Sequence, residues 1–197
     1  MIEAIIFDWG GVLIEEPEDM RNSYCARYFK VPKSEFARVY DKFKHDFGRG
    51  IISEETFWKN ICLELKVDPP NRSLWLDACR HVYSEKKDVI SIASSLHKNG
   101  YKIGLLSNTE LPSMKYFCEQ KYDMFDICVF SCMEGVIKPE RKIYELALER
   151  LGVAAKSAVF IDDKENCTDG AKIIGMNAIL FKTPEQLKKE LALLGVK

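Results

Sequence analysis

Short apolar runs and segments of helical apolar spacing alternate along most of the chain. Ala4 to Phe7 is a short apolar run of strand character near the N-terminus. In the C-terminal part, similar runs predict strands at Lys102 to Leu106, Ile127 to Phe130, Ala158 to Ile161 and Ala178 to Phe181. Helical patterns separate these runs, which is typical of an α/β fold. We therefore predict a doubly wound, Rossmann-like parallel sheet.

Residues 15–85 interrupt this alternation, because their apolar positions recur only at helical spacing. We predict helices at Arg21 to Phe29, Lys33 to Phe47 and Arg72 to Tyr83, with another capped by Ser53. These residues form a predicted all-helical cap, inserted after the first strand of a core made of residues 1–14 and 86–197. Within the core, we place Pro139 in the first turn of a helix that runs from Glu140 to Leu151.

Composition excludes several classes of protein. A net charge of -1 gives no electrostatic footprint for nucleic acid or an anionic membrane, and we expect neither as a partner. No apolar stretch approaches the ~20 residues that span a bilayer, and the N-terminus lacks the features of a signal peptide. The seven cysteines include no CxxC pair, which favours reduced thiols. We expect a cytoplasmic protein that is a monomer or a weak homodimer.

Polar side chains follow the predicted strands where each of them ends. They are Asp8, Ser107-Asn108, Lys138 and Asp162-Asp163. The carboxyl ends of parallel strands meet at one edge of the sheet, where open α/β sheets bind ligands. Each residue also has a structural alternative, since Asp163 could cap a helix, Ser107 could serve a turn and Lys138 could be a solvated charge. Their joint occurrence at one edge favours a shared binding site.

The chemistry of these side chains suits phosphoryl transfer. Three neighbouring carboxylates repel one another unless a hard cation neutralises them, and ligation by oxygen alone suits Mg2+. Lys138 and the Ser107 hydroxyl match the needs of a phosphoryl group. Asp8 is then a candidate nucleophile for an aspartyl-phosphate intermediate.

The order Asp8, Ser107, Lys138, Asp162-Asp163 resembles the haloacid dehalogenase superfamily, which consists mostly of magnesium-dependent phosphatases. The resemblance covers essentially the whole chain, including the helical cap. It implies that Asp8 is the nucleophile and a metal ligand, and that Lys138 bridges the nucleophile to the phosphoryl group. It further implies phosphoryl binding by Ser107 and Asn108, and a magnesium site completed by the Gly10 carbonyl, Asp163 and Asp162.

Gly10 departs from the usual pattern of the superfamily. Its phosphatases usually carry a second aspartate two residues after the nucleophile, as general acid and base, and such help is worth about 10²–10⁴-fold in rate. The Asp-x-Gly-x-Val motif at Asp8, the cap segment that starts at Arg49-Gly50 and the Leu-Ser-Asn-Thr motif ending at Thr109 are similar to bacterial hexose-1-phosphate phosphatases. This likeness implies that the glycine version can hydrolyse a small phosphorylated metabolite such as a sugar phosphate.

Two other functions stay open. A 2-haloacid dehalogenase needs no proton for its leaving halide, but dehalogenases do not use magnesium, and Asp162-Asp163 argues against one. The second alternative is a catalytically silent domain that binds a phosphorylated ligand or a protein. In the cap, Arg49 is a candidate ligand for a phosphate or a sugar hydroxyl, with a surface arginine in a tight turn as its alternative.

Overall fold

The computed structural model describes residues Met1–Lys197 and contains one five-stranded sheet in the order β3-β2-β1-β4-β5. The strands are β1 Ala4–Phe7, β2 Lys102–Ser107, β3 Ile127–Phe130, β4 Ala158–Asp162 and β5 Asn177–Leu180. All neighbouring strands pair in parallel. The predicted doubly wound α/β sheet is therefore confirmed.

Both faces of the sheet are covered by helices. Ile5 and Phe7 belong to one buried apolar cluster and Ala4 and Ile6 to another, because successive side chains of a strand point to opposite faces. The first cluster includes residues of α5 Lys87–Lys98, α6 Leu111–Glu119 and α10 Pro184–Leu193, and the second includes residues of α8 Arg141–Leu151 and α9 Glu165–Ile173. Burial on both faces explains why the strands are almost continuously apolar.

Four helices lie between β1 and α5: α1 Glu18–Phe29, α2 Lys33–Gly48, α3 Glu54–Leu65 and α4 Leu74–Val82. They enclose an apolar cluster of their own, centred on Phe57 and Trp75. The Ser53 hydroxyl accepts a hydrogen bond from the Thr56 amide at 3.1 Å, which confirms the predicted cap of α3. None of the helices combines the length and apolarity needed to cross a membrane.

The chain enters and leaves the four-helix segment through two adjacent backbone segments. The amide of Glu15 donates to the Ser84 carbonyl at 2.9 Å, and the amide of Lys86 donates to the Leu13 carbonyl at 2.8 Å. These bonds tie the two connections together. The boundaries of the cap at 15 and 85 stay a prediction.

The prediction for Pro139 was wrong, because this residue precedes the helix. The amide of Glu140 donates to the Ile137 carbonyl at 2.8 Å, and this turn delays the start of α8 to Arg141, with an extended Glu140 as its N-cap. The sequence also gave no sign of the one-turn helix α7, Ser131–Glu134.

Candidate active site

A buried lysine, Lys138, joins the ends of β1 and β4. Asp8 directly follows β1, and its Oδ1 accepts hydrogen bonds from the Trp9 amide and from Lys138 Nζ, each at 2.7 Å. Lys138 Nζ also donates to Oδ2 of Asp162, the last residue of β4, at 2.6 Å. The exposed fractions of Asp8, Lys138 and Asp162 are only 6%, 4% and 0%. The convergence predicted from the strand ends is present for these side chains.

Asn108 fixes the backbone of the loop that carries Lys138. Its Oδ1 accepts from the Lys138 amide at 2.7 Å, and its Nδ2 donates to the Lys138 carbonyl at 3.0 Å. Asn108 follows Ser107, the last residue of β2, so the contact couples this strand to the lysine loop. Both residues line the same cavity as Asp8. Their predicted contact with a phosphoryl group stays a prediction.

Asp8, Asp162 and Asp163 form an acidic cluster, in which one carboxylate oxygen from each lies within 4.8 Å of the others. The two oxygens of Asp162 are engaged, one by Lys138 Nζ and the other by the Lys164 amide at 2.8 Å. In contrast, Oδ1 of Asp163 is buried without a hydrogen-bond partner. An unpaired buried carboxylate oxygen is costly, and it is therefore a candidate ligand atom.

Gly11 permits the close approach of Asp163 to the turn that follows Asp8. Its φ of +82° is in the left-handed region, and a Cβ built there would lie 2.2 Å from Asp163 Oδ2. No other residue type fits this position without moving the carboxylate. The glycine after Gly10 is thus required by the acidic cluster itself.

The cluster carries more negative charge than its lysine offsets. Burial raises the pKa of Asp8 to about 7, and Asp162 adds to the rise, although Lys138 and Lys164 oppose it. Burial alone would lower the pKa of Lys138, but Asp162 and Asp8 hold it well above its usual value, so the lysine is charged. Burial also raises the pKa of Asp163. A hard divalent cation would fit this set of oxygen donors, with Asp8 and Asp163 as the side chains that could hold it. Ligation by Asp162 and by the Gly10 carbonyl stays a prediction.

A cavity of about 410 Å³ opens above Asp8 between the sheet edge and the helices α1 and α2. Its floor includes Asp8, Gly10, Ser107, Asn108 and Lys138, and its other polar lining residues are Glu16, Glu18, Arg21, Tyr40, Lys44, His45, Tyr83, Thr109, Glu110, Lys164 and Asn166. Only 6 of the 22 lining residues are hydrophobic. The cavity therefore suits a polar ligand.

Arg21 also lines the cavity, although it was not predicted as a site residue. Arg21 is 6% exposed, donates to the Tyr83 hydroxyl at 2.8 Å and lies over the Trp75 ring at 4.3 Å. Its guanidinium is also 3.6 Å from Glu110, a residue of the core. The available signal was its spacing, because Arg21 and Cys25 are four residues apart on the buried face of α1.

Arg49 lies at the contact between the cap and the core. It pairs with Glu140 and approaches the Gly135 carbonyl at 3.4 Å, and it is not among the residues that line the cavity. Gly50 packs so tightly here that a Cβ would lie 2.2 Å from the Cys132 carbonyl oxygen. The structure thus does not bring Arg49 together with the other candidate site residues, and its contact with substrate stays a prediction.

The parallel sheet, the helices inserted after its first strand and the acidic cluster at its carboxyl edge define a fold of the haloacid dehalogenase class. A sequence profile described as haloacid dehalogenase-like hydrolase matches residues 2–175. The chain therefore belongs to the haloacid dehalogenase-like hydrolase family.

Curated relatives are similar over nearly the whole chain. Acyl-CoA dehydrogenase family member 10 of Mus musculus is 29% identical over 98% of this chain, which spans about a fifth (19%) of that protein. Phosphatase MT3486 of Mycobacterium tuberculosis is 26% identical, covering 98% of this chain and 95% of its own length. A phosphorylated carbohydrates phosphatase of Thermotoga maritima is 28% identical, and the match covers 90% of this chain and 84% of that protein.

Among solved structures, a HAD family enzyme from Bacteroides thetaiotaomicron in complex with magnesium and inorganic phosphate is similar in fold. Its TM-score is 0.74 at 23% identity, and the match covers 92% of this chain and 95% of that one. At this identity the likeness shows the shared fold.

Proposed function

We propose that the protein is a Mg2+-dependent phosphomonoester hydrolase that acts through an aspartyl-phosphate on Asp8. The observation that carries the proposal is the bridge from Lys138 Nζ to Asp8 and Asp162, at 2.7 and 2.6 Å, beside the unpaired oxygen of Asp163. A carboxylate held by a charged amine at the floor of a polar cavity can attack phosphorus in line. The family membership and the relatives named as phosphatases support the same reaction.

In the proposed reaction each residue has a physical task. Lys138 holds Asp8 Oδ1 at one end of the site, which leaves Oδ2 as the attacking atom. The same ammonium offsets the negative charge that gathers on the phosphoryl oxygens, and the Ser107 hydroxyl can donate to one of them. Mg2+ held by the acidic cluster would supply further positive charge and relieve the repulsion among the carboxylates.

The cavity supports a small, hydroxyl-rich phosphate ester as the substrate. Its upper part contains the cation Arg21, which is neutralised by Glu110 at 3.6 Å, together with the hydroxyls of Tyr40 and Tyr83. A region of balanced charge with many donors and acceptors suits neutral hydroxyl groups better than a second anion. The Thermotoga relative named as a phosphorylated carbohydrates phosphatase supports a sugar phosphate.

A second candidate function is a silent domain that binds a phosphorylated ligand or a protein, and Gly10 is the observation that favours it. Without a general acid, hydrolysis of a poor leaving group is slow. A haloacid dehalogenase is not favoured, because three clustered carboxylates are suited to hold a metal, which halide displacement does not need.

The test is phosphate release from p-nitrophenyl phosphate and a panel of phosphorylated sugars, with Mg2+ and with EDTA. The acidic p-nitrophenol leaves without a proton donor, so the absence of a general acid does not slow the first step, formation of the aspartyl-phosphate. We expect release that needs Mg2+ and is lost in Asp8→Asn. A rate no higher than that of Asp8→Asn would overturn the proposal and favour the silent domain. The cytoplasmic location and the monomeric or weakly dimeric state stay predictions.

A further inference from the structure

The usual proton donor of the family is absent at Gly10, yet another carboxylate reaches the space beside this residue. We propose that Glu16 is the general acid and base of the reaction, which deepens the proposed phosphatase function and rests on it. Glu16, Gly10 and Asp8 line the same cavity.

The geometry at Gly10 locates the carboxylate. A Cβ built on Gly10 would lie 3.4 Å from Pro17 Cδ and 4.0 Å from Glu16 Oε2. In an aspartate at this position, the carboxyl carbon would lie one bond, about 1.5 Å, from that Cβ. Glu16 therefore brings a carboxylate oxygen, from a different backbone position, to the neighbourhood in which an aspartate at position 10 would hold its own.

Two contacts hold the Glu16 side chain near this position. Its Oε1 accepts from the Glu18 amide at 3.3 Å, and Lys164 Nζ lies 3.4 Å from its Oε2. Lys164 follows directly on Asp163, so the ion pair ties Glu16 to the acidic cluster. The side chain keeps 43% of its surface exposed, which gives the proton a path to and from water.

Other acidic groups of the cavity are less suited. Glu110 is 6% exposed, and its oxygens contact Trp75 Nε1 at 3.2 Å, Ser113 Oγ at 3.0 Å and Arg21 at 3.6 Å. Glu18 pairs with Lys44 at 3.7 Å, and Glu16 rather than Glu18 is the carboxylate nearest to the Cβ position of Gly10. His45, in the last turn of α2, is the remaining rival and serves as one arm of the test.

The proton steps balance. As Asp8 Oδ2 bonds to phosphorus and the bond from phosphorus to the ester oxygen breaks, protonated Glu16 gives its proton to that oxygen, and the alcohol leaves. Ionised Glu16 then takes a proton from water, whose oxygen bonds to phosphorus while the bond from phosphorus to Asp8 breaks. Inorganic phosphate departs, and Asp8 and protonated Glu16 are restored.

The experiment compares Glu16→Gln with wild type on two esters, p-nitrophenyl phosphate and glycerol phosphate, which differ in the acidity of the leaving group. Glu15→Gln is the matched control, because Glu15 is also exposed, contacts Lys86 and lies outside the cavity. We expect kcat of Glu16→Gln on the alkyl ester to fall about 10²–10⁴-fold. On p-nitrophenyl phosphate the first step needs no acid, so its formation of the aspartyl-phosphate stays within a few-fold of wild type.

A rescue variant makes the role specific. A Cβ at Gly10 would lie 3.4 and 3.9 Å from Pro17 and 4.0 Å from Glu16 Oε2, and Gly10 has no positive φ, so the backbone can accept Gly10→Asp. In the Glu16→Gln background it should restore hydrolysis of glycerol phosphate. Adding Mg2+ should raise the melting temperature of both proteins, and the Mg2+ concentration that gives half of this rise should be the same in Glu16→Gln as in wild type.

The outcomes separate the two proposals. If wild type shows no activity above Asp8→Asn, the proposed function fails and this inference fails with it. If wild type is active, Glu16 is refuted when the rate of aspartyl-phosphate formation in Glu16→Gln falls equally for both esters or falls for neither. It is also refuted by a loss in this rate that depends on the leaving group in His45→Gln but not in Glu16→Gln.

Discussion

Replacing Lys138 with methionine tests the central feature of the site. Methionine keeps much of the length of the side chain but removes the ammonium, so that Asp8 Oδ1 and Asp162 Oδ2 lose the group that holds them at 2.7 and 2.6 Å. Both carboxylates are buried, with exposed fractions of 6% and 0%. Two buried anions would then face each other without a counter-charge.

The expected magnitude follows from this burial. Removing one partner from a buried ion pair costs about 3–5 kcal/mol, because the remaining charge cannot regain its hydration. We expect Lys138→Met to lower the free energy of unfolding by about that amount in EDTA. Folded domains have about 5–15 kcal/mol of stability, so the variant should remain measurable.

The assay is urea unfolding followed by tryptophan fluorescence, with linear extrapolation to water. Lys164→Met is the matched control, because the side chains of Lys164 and its partner Glu16 are 54% and 43% exposed. Exposed pairs contribute about 0–1 kcal/mol, and the control should lose no more. Adding Asp162→Asn to Lys138→Met should recover part of the loss, because it removes one of the two charges. A loss below about 1 kcal/mol for Lys138→Met would refute the reasoning, since it would mean that the carboxylates do not depend on the lysine.

Three further predictions test the metal site and the contact between cap and core. Gly11→Ala and Gly100→Ala should each lower the free energy of unfolding by about 1–3 kcal/mol through backbone strain, since the φ angles of these glycines are +82° and +90°. Only Gly11 abuts Asp163, so only Gly11→Ala should weaken the thermal shift, the rise in melting temperature on adding Mg2+. Asp163→Asn should abolish that shift, as measured by differential scanning fluorimetry, and an unchanged shift would exclude Asp163 as a ligand. Arg49→Ala and Glu140→Ala should raise KM equally, because each breaks the same ion pair, and a larger rise in Arg49→Ala alone would support the predicted contact with substrate.

Much of the fold could be predicted, because the elements of this chain are locally consistent. A buried parallel strand needs a short, almost continuous apolar run, and such runs mark the strands to within one or two residues. The Ser53 cap is likewise a local contact, with the Thr56 amide three residues away. The prediction that Pro139 lies in the first turn of a helix was wrong because of a contact between distant residues. The backbone of Lys138, in the turn from Ile137 to Glu140, is held by Asn108, 30 residues earlier.

The residues at the floor of the cavity could also be predicted from the sequence, whereas those of its walls could not. Asp8 directly follows β1, Asp162 ends β4, and Lys138 lies in the connection after β3. The carboxyl ends of parallel strands meet at one edge of the sheet. No comparable rule assigns Glu16, Arg21 or their partners. Arg49 pairs with Glu140, which lies 91 residues later in the chain, and no pattern in the sequence predicts this contact.

The sequence by itself determined which residues form strands and helices, and which side chains stand at the carboxyl edge of the sheet. These properties depend on local periodicity and on the fixed geometry of parallel strands. Only the tertiary structure decided that the turn after Asp8 approaches Asp163 closely enough to require Gly11, and that Glu16 reaches the space beside Gly10. The reason is physical: both depend on contacts of a few ångströms between elements that are packed together, and these distances follow from the whole core rather than from any one segment.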